Sequence, residues 1–264
     1  MGALTASPAS IDLSQTPRVR MSRLFRVELR KITDTRAGMW LLIAIGAITL
    51  LAVTIFLFAA ESNELTYENF AGVTATPQGF ILPVLGILAV TSEWSQRTGL
   101  VTFTLEPSRI RIVVAKFLAV VALGLAAVAV ALAAGALFNV LGTGLADGAG
   151  DWNLGLAGTR DFTLLQLMSI VQGLAFGMLL MNSAAAIVLY FVVPIAWNIL
   201  FSLVGALEDA APWLDLSTAQ QPLFDDHSLT ATEWSQLLVT SLIWIVLPLL
   251  AGVVRLMRAE LKSA

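Results

Sequence analysis

A chain of 264 residues with 58% hydrophobic and only 12% charged side chains, and a mean hydropathy of +0.84, lacks the polar surface of a water-soluble domain, in which about 25% of residues are charged. The absence of cysteine excludes disulfides, thiolate metal sites and cysteine nucleophiles. The net charge of -3 conceals two opposed distributions, basic residues on one set of segments and acidic residues on the other.

Five long stretches contain no Asp, Glu, Lys or Arg: 37 to 60, 69 to 92, 117 to 146, 162 to 207 and 234 to 254. A helix needs about 20 apolar residues to cross a bilayer. Four stretches therefore read as single spans, while the fourth in order is long enough for two and must fold back. The small polar group Met181-Asn182-Ser183 marks the break. The predicted fold class is an all-α integral membrane protein with six transmembrane helices, at about 38 to 60, 77 to 92, 113 to 141, 162 to 181, 183 to 204 and 234 to 254.

Lys and Arg residues orient such a chain, because they are retained on the cytoplasmic side. Seven lie before the first span, four after the second (Arg97, Arg109, Arg111, Lys116) and three after the sixth, whereas the other side has only Arg160. Twelve of the eighteen acidic residues fall in the three outer loops. This asymmetry predicts cytoplasmic termini, and the chain is expected in the plasma membrane.

In chain order, residues 1 to 17 are rich in Ala, Ser, Thr and Pro and are expected to be disordered. Over 19 to 33, Met21, Leu24, Phe25, Leu29 and Ile32 recur at helical spacing opposite Arg20, Arg23, Arg26, Arg30 and Lys31, the pattern of a basic amphipathic helix in the cytoplasmic interface. Glu28 projects from the apolar face. It reads either as a carboxylate paired with a nearby Arg inside the bundle or as a partner contact.

The first outer loop carries Glu61, Glu64 and Glu68 without the constrained spacing of a cation site. Pro83 is expected to bend span two. Gly124 and Gly135 make span three a candidate packing surface, and Lys116 at its start is expected to reach back to the headgroups. Spans four and five carry Gln166, Gln172, Tyr190 and Asn198, which in hydrocarbon must find partners or line a wet pathway. His227, the only histidine, lies between Asp226 and Ser228 in the outer loop 205 to 233. Neighbouring residues on one loop do not face one another as a catalytic triad requires.

The sequence has no Walker A motif and no helix-borne metal pair. What remains is a scaffold, a channel, or a transporter driven by another chain. The segment 93 to 111 distinguishes among these. Span two ends in Glu93, followed by Arg97-Thr98, Leu105, Pro107, Arg109, Arg111 and then Lys116 entering span three. Together with Arg26, Glu28 and Lys31 ahead of Met39-Trp40-Leu41-Leu42, and with Arg255, Arg258, Glu260 and Lys262 at the end, this pattern resembles the permease subunits of type-2 ABC exporters.

The resemblance implies a second permease chain, the same or different, and separate ATP-binding subunits on the cytoplasmic face. ATP and Mg would be bound there; this chain would bind no cofactor and no nucleic acid, and would not itself be an enzyme. It also implies that 93 to 111 is a coupling segment. Leu100, Val101, Phe103 and Leu105 would fill a groove on the partner, Arg97, Arg109 and Arg111 would lie at its rim, and Glu93 would hold the segment's orientation through a neighbour such as Arg97. The alternative is a structural or channel-like membrane protein with no nucleotide partner.

Overall fold

The computed structural model describes residues 19 to 96, 102, 104, 106 to 224 and 228 to 258. The expected disordered tail, five of the expected coupling residues (Arg97, Leu100, Val101, Phe103, Leu105) and His227 lie outside them. Every regular element among the described residues is helical. Helix α1 (Met21–Thr33) precedes α2 (Arg36–Ala59), α3 (Tyr67–Ser95), α4 (Arg109–Leu145), α5 (Gly155–Leu180) and α6 (Ser183–Leu203). Two short helices follow, α7 (Ala211–Leu214) and α8 (Leu216–Gln220), then α9 (Ala231–Ser241) and α10 (Leu247–Arg258), which join into one span. Six helices, α2 to α6 and α9 with α10, are long and apolar enough to cross a membrane, making the chain a multi-pass membrane protein.

The helices outrun the charge-free stretches. Helix α3 starts at Tyr67, ten residues before the expected Pro77, and contains both Pro77 and Pro83. Helix α4 runs from Arg109 rather than 113 and covers 37 residues. At 1.5 Å per residue that is about 55 Å, against a hydrocarbon core of about 30 Å. Charges mark where hydrocarbon ends, but a helix continues beyond that edge as long as its backbone bonds persist.

The fold-back comes where the small polar residues lie. Helix α5 stops at Leu180, Met181 takes a left-handed conformation (φ 51°), and the Asn182 side chain accepts a hydrogen bond from the Ala185 N–H at 3.0 Å. The last span contains a wide π turn over Leu242–Val246. Pro248 explains it: proline has no N–H to donate and its ring presses on the carbonyl four residues back, at Trp244. Widening the turn relieves that contact, and the Leu247 N–H reaches back to the Leu242 carbonyl.

Helix α3 is the centre of the bundle, with α5 against it; these are the two most buried spans. Their backbones approach through glycine. A Cβ at Gly86 would lie 2.3 Å from the Ile170 carbonyl oxygen, one at Gly173 2.2 Å from that of Pro83, and one at Gly177 2.8 Å from that of Ile87. Leu82, Leu85, Ile87, Ile170, Leu174 and Met178 fill this contact. Gly124 packs on Leu167 and Ile170 and Gly135 on Ala71, so the expected small-residue surface of span three is an interface.

The expected outer loop 205 to 233 is largely helical. Asp215, 2% exposed, caps α8 by accepting from the N–H groups of Ser217 and Thr218. Thr230 and Glu233 form a capping box at the start of α9. Trp244 ties the segment to the last span by donating from Nε1 to the Leu214 carbonyl at 2.7 Å.

Candidate functional site

Helix α1 lays its apolar face, Phe25, Leu29 and Ile32, against the packed core, with Arg20, Arg23, Arg26 and Arg30 exposed on the other side. Glu28 therefore points inward and is only 4% exposed. It meets two lysines there. Lys31, one turn on, donates to Glu28 Oε1 at 2.7 Å, and Lys116 of α4 donates to Glu28 Oε2 at 2.5 Å. Glu93, two residues before the end of α3, completes the group: its Oε1 accepts from Lys31 at 2.7 Å and from Lys116 at 3.0 Å.

Two carboxylates and two ammonium groups thus sum to zero charge. Lys116, 3% exposed, has three protons and three acceptors, the third being the Ala89 carbonyl at 3.0 Å. Removing such ions from water costs several kcal/mol apiece, so the site tolerates them only because each is matched. Lys31 lies at the solvent side, its side chain one-third exposed. Burial pushes its pKa down, but the charges of Glu93 and Glu28 and their hydrogen bonds outweigh burial and hold it above the usual lysine range. A raised lysine pKa stabilises the fold fully below the ordinary value and is lost only as pH rises through the raised one. At neutral pH Lys31 is therefore charged and contributes in full.

Three expectations are corrected here. Lys31 does not stay with the arginines on the outer face of α1; it reaches Glu28 and Glu93, which give its ammonium group two carboxylate acceptors. Lys116 does not extend to the headgroups; it turns inward, because two carboxylates offer it more than water would. Glu28 pairs with lysines rather than with an arginine, because the arginines of α1 lie on the opposite face. The sequence did carry a signal: Glu28 on an apolar face, Glu93 at the end of one span and Lys116 at the start of the next are charges in places that require partners.

Around this cluster, guanidinium groups meet helix C-termini, where unpaired carbonyls carry partial negative charge. Arg109 donates to the carbonyls of Leu256 at 2.6 Å and Met257 at 3.2 Å, in the last turn of α10. Arg255 donates to the Leu179 carbonyl at the end of α5. Arg111 donates to Glu106 Oε2 at 2.7 Å and to the Val19 carbonyl. Arg109 and Arg111 thus hold other parts of this chain. The result is a plate of linked helix ends from which the segment 96 to 108 departs, at Glu93, and to which it returns, at Lys116.

The four polar residues of spans four and five separate. Gln166 and Tyr190 line a cavity of about 1050 Å³ at the other end of α3. Gln172 is buried away from that cavity, and Asn198 is exposed on α6. No protein-family model matches the chain, and no curated protein matches it.

Proposed function

We propose that the chain is the membrane-spanning permease subunit of an ATP-driven exporter of the type-2 ABC kind. It acts in the plasma membrane with both termini cytoplasmic and α1 in the cytoplasmic interface, paired with a second permease chain and driven by separate ATP-binding subunits. The observation that carries this reading is the four-charge cluster. It fixes both ends of the segment 96 to 108 to one plate built from α1, α3 and α4. A push delivered to that segment by a closing pair of ATP-binding subunits would reach the spans without being absorbed by a loose joint.

The partner contact is tested at Phe103. Interface energy concentrates in central apolar anchors, so Phe103→Ala should weaken association with the ATP-binding subunit by on the order of 1 to 3 kcal/mol. Binding of the purified subunits by biolayer interferometry would measure this. Unchanged binding in Phe103→Ala removes the coupling role of the segment, and failure of any ATP-binding subunit to co-purify with the parent returns the chain to the channel-like class.

The orientation has its own test, simplified by a parent with no cysteine. Single cysteines at Ser62, Thr143 and Ser217 should be labelled in intact cells by an impermeant maleimide, and those at Ser14, Ser95 and Ser263 only after lysis. Labelling at Ser95 from outside would reverse the topology.

A further inference from the structure

Helices α3 and α5 touch backbone to backbone from Pro83 to Gly177 and then separate towards the opposite end of the bundle. The space between them is the cavity of about 1050 Å³, roofed by Leu223 and Phe224 and closed at one side by Tyr190 of α6. Sites for small organic ligands run to about 300 to 1,000 Å³. The α3 wall is formed by Ala71, Gly72, Ala75, Thr76 and Gly79, which share one helix face. Gly72 and Gly79 have nothing within 4 Å of an added Cβ, unlike Gly86 on the same helix. Close packing does not demand glycine at these two positions; its effect there is to leave room.

The lining has a definite character. Phe80, Phe162 and Phe224 supply aromatic surface. Glu64, Glu68 and Asp161 supply carboxylates, and among the described residues that line the cavity none is basic. Asp161 is already matched, by Arg160 at 2.6 and 3.0 Å. Glu64 and Glu68 form no ion pair among the described residues. Gln166, 3% exposed, adds a neutral polar group to the lining. Its amide nitrogen donates to the Ala75 carbonyl at 3.4 Å and to Gln78 Oε1 at 3.3 Å, which fixes nitrogen on that side. Its amide oxygen accepts no hydrogen bond from the described residues and remains available as an acceptor on a residue that lines the cavity.

We propose that this cavity binds an amphipathic organic cation, with its apolar body among the aromatic side chains and its charge drawn by Glu64 and Glu68. Aromatic faces and unpaired carboxylates both favour a cation over a neutral or anionic ligand of the same shape. The site lies within one chain, so the inference holds whether or not an ATP-binding partner exists.

Tetraphenylphosphonium and tetraphenylborate are nearly the same size and shape and carry opposite charge, which makes them the probes of choice. The full-length protein, with any co-purifying subunits, is placed in lipid nanodiscs and titrated with each ion, empty nanodiscs serving as the blank. Saturable binding of tetraphenylphosphonium, one per chain, is expected, with tetraphenylborate weaker by about tenfold or more. Gly79→Leu should fill the cavity and weaken phosphonium binding by about tenfold or more, and Glu68→Gln should weaken it a few-fold. Gly72→Leu, on the same open wall, replaces Gly79→Leu should that variant not elute as the parent does. Equal affinity for the two ions would make the cavity a merely apolar slot. Absence of saturable binding, or binding untouched by a well-folded Leu variant, would overturn the site altogether.

Discussion

Lys116→Met should cost about 3 to 5 kcal/mol of stability, the range for a buried ion pair broken on one side. Without Lys116, two carboxylates that are 4% and 5% exposed share one ammonium group, and an excess negative charge is left in the protein interior. Unfolding in mixed micelles with rising dodecyl sulfate would measure the loss. The double variant Glu28→Gln with Lys116→Met should be markedly less damaged, because what remains, Glu93 with Lys31, is again neutral. A single variant within about 1 kcal/mol of the parent would mean that water, not Lys116, satisfies the carboxylates.

The second large effect lies where α3 and α5 touch. Gly173→Ala would place a methyl carbon 2.2 Å from the Pro83 carbonyl oxygen and 2.8 Å from its Cα, so the obstacle is backbone on both sides. No rotamer change can relieve that contact, and the helices must part. The expected loss is about 3 kcal/mol, the upper end for overpacking. Gly79→Ala, about one turn from Pro83 on α3, is the internal control. It meets only open space and should gain about 0.5 to 1 kcal/mol from helix propensity. The same dodecyl sulfate titration reads both, and equal stabilities for the two variants would show that the glycine contact between α3 and α5 is loose.

The sequence made the six spans legible because charge is expensive in hydrocarbon and is seldom placed there without need. The break at Met181-Asn182-Ser183 was legible for a related reason: two small polar residues, Asn182 and Ser183, inside a 46-residue charge-free run invite a turn. Helix ends were not. Glu68 looks like the edge of a loop, yet in α3 it occupies the first turn, where a carboxylate suits the positive end of the helix. The partners of Glu28 were hidden for a different reason. The helical period of 19 to 33 shows which way Glu28 points, but not that residues 93 and 116 arrive at the same place, since that depends on how three helices cross. The cavity was hidden too, because Gly72 and Gly79 read like any other glycines until the neighbouring helix is seen to diverge from them. Of the polar residues in the later spans, Gln166 and Tyr190 line that cavity while Gln172 and Asn198 do not; helical phase alone does not sort them.

The charge cluster also dictates an order of assembly during synthesis. Glu28 and Lys31 are made first and can pair within α1 as soon as that helix forms. Glu93 arrives only with the end of α3, and for as long as α4 is missing the growing chain holds two carboxylates and one lysine at the same place. That intermediate is one charge short of neutral and has reason to keep its cluster open to water. Emergence of Lys116 removes the imbalance and lets the group close. The first three spans would then dock together before α5 is complete, and the ends of α5 and α10 would join the closed cluster afterwards, through Arg255 and Arg109.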